Sequence, residues 1–239
     1  MTSRGIRLAF QARHPAISRA ISLVLALLLC ISPGVRSASG GTCQLALLLA
    51  IDVSGSVDDA EYLLQTEGTA AALRDPEIAA TLIQGRVALA VVQWSSIGMQ
   101  KVVQPWQRMN SAAQLLEFAN RAEAQERAFG KADTAVGDAI SFAVRQFRDV
   151  PDCPRRVIDI SGDGVQNSGG PLPVARAEAI AAGITINAIA IEGIGIAISE
   201  FYRRHVITSG GFVITANMHT DYPRAIRLKI LREIAIPLG

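Results

Sequence analysis

The stretch LALLLAIDVSGSVDD, residues 45–59, decides the fold. Its first seven residues, Leu45–Ile51, are all apolar, and so short a run without a polar position is typical of a strand buried on both faces of a parallel sheet. Three oxygen-bearing side chains follow at alternate positions, Asp52, Ser54 and Ser56. The sequence therefore predicts a central strand whose carboxyl end carries a cluster of side-chain oxygens.

Apolar runs and amphipathic stretches alternate along the rest of the chain. This alternation predicts right-handed β-α-β crossovers and an α/β fold with one doubly wound, mostly parallel sheet and helices on both faces. One antiparallel edge strand is expected, because two strands form a hairpin and the second contains a proline. Further strands are predicted at 86–94, 101–106, 155–161, 184–191 and 211–215, and helices at 58–73, 111–124, 134–147, 172–182, 196–206 and 221–236.

The first 40 residues differ from the rest and predict a signal peptide, which leaves residues 41–239 as one domain. Several arginines precede an apolar run of 12 residues, Ala20–Ile31, which is too short to span a bilayer as a helix, and the small residues of VRSASGG follow it. A retained N-terminal membrane anchor is the alternative. We expect export to the periplasm or the medium, with no retained membrane span.

The charge of the chain is concentrated in this leader. Residues 1–38 hold five of the 23 basic residues and none of the 21 acidic ones, so the remainder carries 18 basic against 21 acidic side chains, a net charge of −3. No run of lysine or arginine occurs there. A mildly acidic domain without a basic patch excludes nucleic acid as the expected partner.

Two cysteines remain after the leader, Cys43 and Cys153. Each lies just before a predicted strand, so the two would meet at one edge of the sheet if those strands are parallel neighbours. Disulfides form in the compartments to which exported proteins go. We therefore expect a Cys43–Cys153 disulfide, with two unpaired thiols as the alternative.

A second acidic residue is expected beside the oxygen cluster. Ligands of open α/β sheets bind outside the carboxyl ends of the strands, and Asp163 occupies that end of the strand in RRVIDISGDG, as Asp52 does in the first strand. Two facing carboxylates repel, which raises the pKa of one of them unless a cation lies between. Because every candidate ligand is an oxygen, the pattern favours Mg²⁺, Mn²⁺ or Ca²⁺ over zinc or copper.

Two histidines and one further aspartate are the remaining polar residues of note. His205 and His219 show no paired metal-ligand spacing, and the third histidine lies in the leader. Asp159 lies inside a predicted strand, where a buried carboxylate needs a partner. Arg155 and Arg156 are the candidate partners.

Three short motifs resemble one known family. DVSGS at 52–56 resembles the D-x-S-x-S motif of von Willebrand factor type A (VWA) domains, Thr134 in KADTAVGDAI matches the threonine of the second loop, and Asp163-Gly164 matches the third. The likeness covers essentially all of residues 41–239 and is closest to a secreted bacterial branch of the family without an assigned role. One departure is Gly162, where many members have threonine.

This resemblance implies a metal-ion-dependent adhesion site (MIDAS). Three hydroxyls would contact a divalent cation directly or through water, two aspartates would act through water or hydrogen bonds, and one coordination position would stay open for an acidic group of a partner. The implied metal-site residues are Asp52, Ser54, Ser56, Thr134 and Asp163. Mg²⁺ is the first choice of ion, with Mn²⁺ and Ca²⁺ as alternatives.

Each of these residues also has a local interpretation. Asp52 can close the turn that follows it, Ser54 or Ser56 can cap the next helix, Thr134 can cap a later one, and Asp163 can be a turn residue.

The sequence favours one function, and two other classes of function are alternatives to it. The residues predict an exported, metal-dependent binding or adhesion module rather than an enzyme, with an extracytoplasmic protein bearing an acidic residue as partner. A metal-free VWA-like interaction module is the first alternative. A metal-assisted phosphoryl-transfer or hydrolytic enzyme is the second, although phosphoryl transfer expects a second acid where Ser54 stands and a lysine nearby.

Overall fold

The computed structural model describes residues 43–235. The predicted signal peptide, residues 1–40, lies outside this range. Six strands form one sheet in the order β3-β2-β1-β4-β5-β6, parallel except for the edge pair β2–β3. The strands are β1 Leu45–Asp52, β2 Ala88–Trp94, β3 Gln100–Arg108, β4 Arg155–Gly162, β5 Thr185–Glu192 and β6 Val213–Asn217. The predicted fold class is confirmed, and so is the adjacency of β1 and β4.

Helices connect the strands and cover both faces of the sheet. They are α1 Asp59–Arg74, α2 Pro76–Gln84, α3 Ala112–Glu123, α4 Val136–Gln146, α5 Leu172–Ala181, α6 Ala197–Phe201 and α7 Tyr222–Ile234. A π-helical turn, Tyr202–Val206, continues α6. The sequence predicted all of these except α2.

The Asp-Pro pair at 75–76 explains why α2 was missed. It reads as a helix breaker, yet Asp75 accepts hydrogen bonds from the backbone N–H groups of Glu77 (2.9 Å) and Ile78 (3.2 Å). Pro76 is the first residue of the new helix, where its missing N–H costs no hydrogen bond. The same residues therefore end α1 and begin α2.

The central strand divides the core into two layers. All eight residues of β1 are buried, with Ala46, Leu48 and Ala50 in one apolar cluster and Leu45, Leu47, Leu49 and Ile51 in the other. The second cluster includes one face of α7, formed by Tyr222, Ile226, Ile230 and Ile234, as their spacing predicts. Burial on both faces fixes β1, and hence the loop that follows it.

The predicted disulfide is present and joins the beginnings of β1 and β4. Cys43 and Cys153 are 110 residues apart in sequence, with Cα atoms 4.8 Å apart. Closing a loop of that length stabilises the fold by about 4–5 kcal/mol in the chain-entropy account. Such a bond is typical of an extracytoplasmic location. Within residues 43–235 no helix is long and apolar enough to cross a membrane.

Asp159 is paired, but the predicted partner was wrong. Its carboxylate contacts the ammonium group of Lys229 on α7 at 2.5 Å, and the same ammonium contacts Glu233 at 2.6 Å. The guanidinium groups of Arg155 and Arg156 instead donate to the backbone carbonyls of Glu233 and Pro151. Three buried ionisable groups therefore join the middle of β4 to the last helix.

Candidate metal site

The five predicted site residues meet at the carboxyl end of β1 and β4. The side chains form one connected network: the Thr134 hydroxyl lies 3.3 Å from the Ser54 hydroxyl, which lies 3.3 Å from that of Ser56. Ser56 donates to Asp163 Oδ1 at 2.5 Å, and the Ser54 backbone N–H donates to Asp52 Oδ1 at 2.7 Å. These five residues, contributed by three loops, are called the oxygen cup below.

Asp52 forms the buried floor of the oxygen cup. Its side chain is fully buried, and while Oδ1 accepts from Ser54, Oδ2 has no hydrogen-bond partner. Burial, with a smaller contribution from the charge of Asp163, raises the pKa of Asp52 to about 7. An uncompensated buried carboxylate of this kind is costly, and a cation beside Oδ2 would remove the cost. The residues therefore fit a hard divalent ion with oxygen ligands.

The local interpretations hold for only part of this set. The residue that caps α1 is Asp58, whose side chain accepts from the Glu61 N–H, so neither Ser54 nor Ser56 is the cap. Helix α4 begins at Val136 rather than Thr134, and its N-cap residue makes no side-chain cap hydrogen bond. Asp52 does close the turn to Ser54, but with one oxygen only.

Gly162, the departure from the family motif, is explained by Tyr202. A Cβ atom at Gly162 would collide with the Tyr202 hydroxyl and lie 3.0 Å from Asp52 Oδ2. Tyr202 is fully buried, its hydroxyl has no hydrogen-bond partner, and burial together with the charges of Asp52 and Asp163 raises its pKa. The hydroxyl thus occupies the space of the missing side chain, at the floor of the cup.

Arg127 supports the loop between β1 and α1, and nothing in the sequence singled it out. Its guanidinium Nη2 donates to the backbone carbonyls of Val53 (2.9 Å), Ser54 (2.8 Å) and Val57 (2.8 Å). These contacts fix the carbonyls of a loop whose side chains point into the cup. The residue lies in the connection after α3, so only the folded chain brings it here.

Asn167 links the other two loops of the cup. Its side-chain oxygen accepts from the Thr134 N–H at 2.8 Å, and its own N–H donates to the Thr134 carbonyl at 3.1 Å. Thr134 is thereby held in place by the loop that follows β4. An asparagine four residues after Asp163 was the available signal, but its role depends on a contact between loops.

His219 also lies beside the cup, although no paired spacing with His205 marked it in the sequence. Its Nε2 is 3.9 Å from Asp163 Oδ2, and its Nδ1 is 2.9 Å from Glu61 Oε1. The side chain is buried and stands on the turn that leads into α7. His205 is exposed and belongs to the π-helical turn.

One family model matches all of the described part of the chain. The family described as "Protein of unknown function (DUF1194)" matches residues 42–238. The chain belongs to this DUF1194 family. A comparison with curated proteins finds no match.

Solved structures with the VWA fold resemble the chain. A von Willebrand factor type A structure from Catenulispora acidiphila is 20% identical with a TM-score of 0.58, over 80% of this chain and 42% of that one. Proximal thread matrix protein 1 from the mussel byssus, in a form with a zinc-occupied MIDAS motif, is 18% identical with a TM-score of 0.62, over 79% and 48%. The pilus adhesin SpaC from Lactobacillus rhamnosus GG is 12% identical with a TM-score of 0.60, over 80% and 30%.

At these identities the likeness establishes the fold alone, and the VWA resemblance read from the three motifs is confirmed at that level. The chain spans less than half the length of each of these three structures. The zinc belongs to the mussel protein.

Proposed function

We propose that this protein is an exported binding module in which a divalent cation, held in the oxygen cup, is completed by an acidic group of a partner. One observation carries the proposal. Asp52 Oδ2 is buried without a hydrogen-bond partner, at the floor of a cup whose other members are hydroxyls and a second carboxylate. This arrangement lacks one positive charge, and a cation supplies it.

The hydroxyls and the carboxylates of the oxygen cup would have different roles toward the ion. Ser54, Ser56 and Thr134 offer neutral oxygens, so they would hold the ion without cancelling its charge. Asp52 and Asp163 would act through water or hydrogen bonds and balance part of that charge. When bound, the ion acts as a Lewis acid that attracts a further carboxylate. Mg²⁺ suits this set of oxygens, and Mn²⁺ and Ca²⁺ are the alternatives.

An acidic residue of an extracytoplasmic protein is the proposed partner group. A carboxylate would reach the ion through the exposed rim of the cup, where Ser56 is solvent-accessible. The Cys43–Cys153 disulfide supports an extracytoplasmic location, where such partners occur.

Binding, rather than catalysis, is proposed as the use of the cup. In the phosphoryl-transfer alternative a second carboxylate is expected at the position of Ser54, whose hydroxyl instead joins Thr134 and Ser56. This difference supports the binding proposal over the enzyme.

Calorimetric titration with Mg²⁺ tests the proposal. We expect the disulfide-bonded protein and the control Asp149→Ala, which removes an exposed aspartate outside the cup, to bind one ion, and Asp52→Ala to bind none. Binding that is equal in all three proteins would refute the cup as the site. No binding in any of them, with Mn²⁺ and Ca²⁺ also tried, would support the metal-free module. Metal-dependent hydrolysis of a phosphate monoester would support the enzyme.

A further inference from the structure

A second group of possible ligands lies on the side of Asp163 that faces away from Ser56. It consists of Glu61 on α1, Asp163 after β4 and His219 on the turn before α7, and one ligand atom from each lies within 4.8 Å of the others. His219 is only 6% exposed. Three elements that are distant in sequence therefore bring an imidazole and two carboxylates together beside the cup.

Glu61 fixes the orientation of the His219 imidazole ring and determines which ring nitrogen carries the hydrogen. One oxygen of Glu61 accepts from the Asp58 N–H in the capping box of α1, at 2.8 Å. The other lies 2.9 Å from His219 Nδ1. A carboxylate only accepts hydrogen bonds, so Nδ1 is the donor and carries the hydrogen. This carboxylate-to-Nδ1 contact is the arrangement that orients metal-binding histidines, with Nε2 left free to bind.

His219 Nε2 is buried, lacks a hydrogen-bond partner and faces Asp163 Oδ2. The separation of 3.9 Å is too long for a hydrogen bond. A tetrahedral ion with bonds of about 2.0–2.1 Å would hold such a nitrogen and oxygen about 3.4 Å apart, so a shift of roughly half an ångström would bring both into coordination. Asp163 Oδ1 is already engaged by Ser56, which leaves Oδ2 for the second ion.

Space is present on the open side of this pair. A cavity of about 140 Å³ is lined by Asp163, His219, Glu61, Glu192 and Met218, among others. That volume accommodates the waters that complete the coordination of an ion held by only two protein atoms. The Glu192 carboxylate already accepts from the backbone N–H groups of Ile198 and Ser199, so it borders the cavity as a satisfied group.

We propose that His219 Nε2 and Asp163 Oδ2 hold a second divalent cation, of the class that accepts imidazole nitrogen such as Zn²⁺ or Co²⁺, with Glu61 as the residue that orients His219. Asp163 would then serve two ions, the one in the oxygen cup through water or a hydrogen bond and the one beside His219 directly. The second site goes beyond the proposed function, because occupation of the cup is not required for it. Its nitrogen ligand gives it a metal preference different from that of the cup.

Co²⁺ is the probe that tests this site, since its visible absorption reports nitrogen ligation. The disulfide-bonded protein is titrated with Co²⁺ in excess Mg²⁺, and the control His205→Ala removes an exposed imidazole. We expect wild type and His205→Ala to give the same spectrum and one Co²⁺ per chain. His219→Ala is expected to lose the spectrum, and Glu61→Gln to weaken Co²⁺ binding about tenfold.

Two further variants distinguish a loss of the second site from a loss of folding and from a loss of the oxygen cup. If His219→Ala does not fold, His219→Gln takes its place, because the amide can still donate to Glu61 but offers no imidazole nitrogen. Unchanged Co²⁺ stoichiometry and spectrum in the folded His219 variant would overturn the proposal. Asp52→Ala separates the two sites: loss of the Mg²⁺ response with the Co²⁺ spectrum retained places the ion at His219, independently of the oxygen cup.

Discussion

Two pairs of carboxylates lie on or beside strands β1 and β4, and their surroundings differ. Asp159 and Glu233 lie at the middle of β4 and on α7, and the ammonium group of Lys229 contacts both. Asp52 and Asp163 lie at the carboxyl end of β1 and β4. Within residues 43–235 no lysine or arginine forms an ion pair with either of them. The chain itself supplies a cation to the first pair, and in our proposal an external cation serves the second.

The difference between the two pairs indicates which pair stabilises the fold and which one is available to bind a ligand. Lys229 is fully buried, so it can serve only the two acids it touches and the helix that carries them. The oxygen cup instead combines a buried floor, Asp52, with an exposed rim, Ser56, where solvent ions have access. A buried acid pair with an internal lysine is therefore a structural feature. A pair with hydroxyls around it and no internal cation is the binding site that we propose.

The largest expected effect is from Lys229→Met, which removes the internal cation but keeps most of the apolar stem. Two buried carboxylates are then left without a counter-charge, and we expect a loss of about 3–5 kcal/mol in the free energy of unfolding. Urea denaturation measures it. The matched control Lys101→Met, at an exposed lysine on β3, should change stability by less than about 0.5 kcal/mol. Equal effects of both substitutions would contradict the closed-pair interpretation.

The pH dependence of the metal-free protein sharpens the contrast. The folded-state pKa of Asp52 is raised to about 7, so the stability it contributes is complete below the unfolded-state pKa of about 4 and is lost as pH rises to 7. Glu233, with its pKa raised by burial to about 8, acts in the same direction. We therefore compare wild type with Asp52→Asn.

In EDTA, unfolding free energies measured from pH 5 to 8 should fall about 2 kcal/mol further in wild type than in Asp52→Asn. The difference belongs to Asp52, because Glu233 is present in both proteins. Parallel pH profiles would show that ionisation of Asp52 does not destabilise the folded protein. The argument that the cup requires a cation would then fail.

Gly162→Ala tests the floor of the cup. The new Cβ has no room between the Tyr202 hydroxyl and Asp52 Oδ2, so we expect about 1–3 kcal/mol of destabilisation and weaker Mg²⁺ binding. Tyr202→Phe in the same protein should restore part of both losses. At the control position Gly164, a Cβ would meet only ordinary contacts with Thr134, at 3.5 Å and 3.7 Å, so Gly164→Ala should be nearly silent. A Gly162→Ala protein with wild-type stability and Mg²⁺ affinity would be evidence against the crowded floor.

The smallest expected effect is from Arg127→Lys. The charge remains, but the lysine side chain is one bond shorter, so its ammonium group reaches less far than the guanidinium nitrogen that contacts three carbonyls of the cup loop. We expect Mg²⁺ affinity to fall by about tenfold or less, with calorimetry as the readout. The control is Arg148→Lys at an exposed arginine away from the cup. Identical affinities in the two variants would mean that the loop is fixed without Arg127.

The sequence predicts the parts of this molecule that depend on local pattern. An apolar run marks β1, the motif DVSGS stands at its end, and Thr134 and Asp163-Gly164 follow in the order that the VWA resemblance requires. Each of these signals lies within a few residues. The disulfide was also predictable, because both cysteines precede strands that pair as neighbours.

The remaining features depend on contacts between distant elements. Lys229 reaches Asp159 from another element, and the sequence could state that Asp159 needs a partner but not which one. Tyr202 and His219 approach the cup from a π-helical turn and from the turn before α7, with no spacing that relates them to Asp52. Gly162 was the one indication of Tyr202 in the sequence. A glycine where related domains have threonine implies that another group fills the space of the missing side chain.

The central claim is that the oxygen cup binds a cation from solution. The most direct test measures the free energy of unfolding at pH 8, once with EDTA and once with Mg²⁺. At a hundredfold excess over its dissociation constant, Mg²⁺ should stabilise the wild-type protein by about 2.7 kcal/mol. Asp52→Asn should show no increase. An equal response to Mg²⁺ in both proteins, or no response in wild type, would contradict the account.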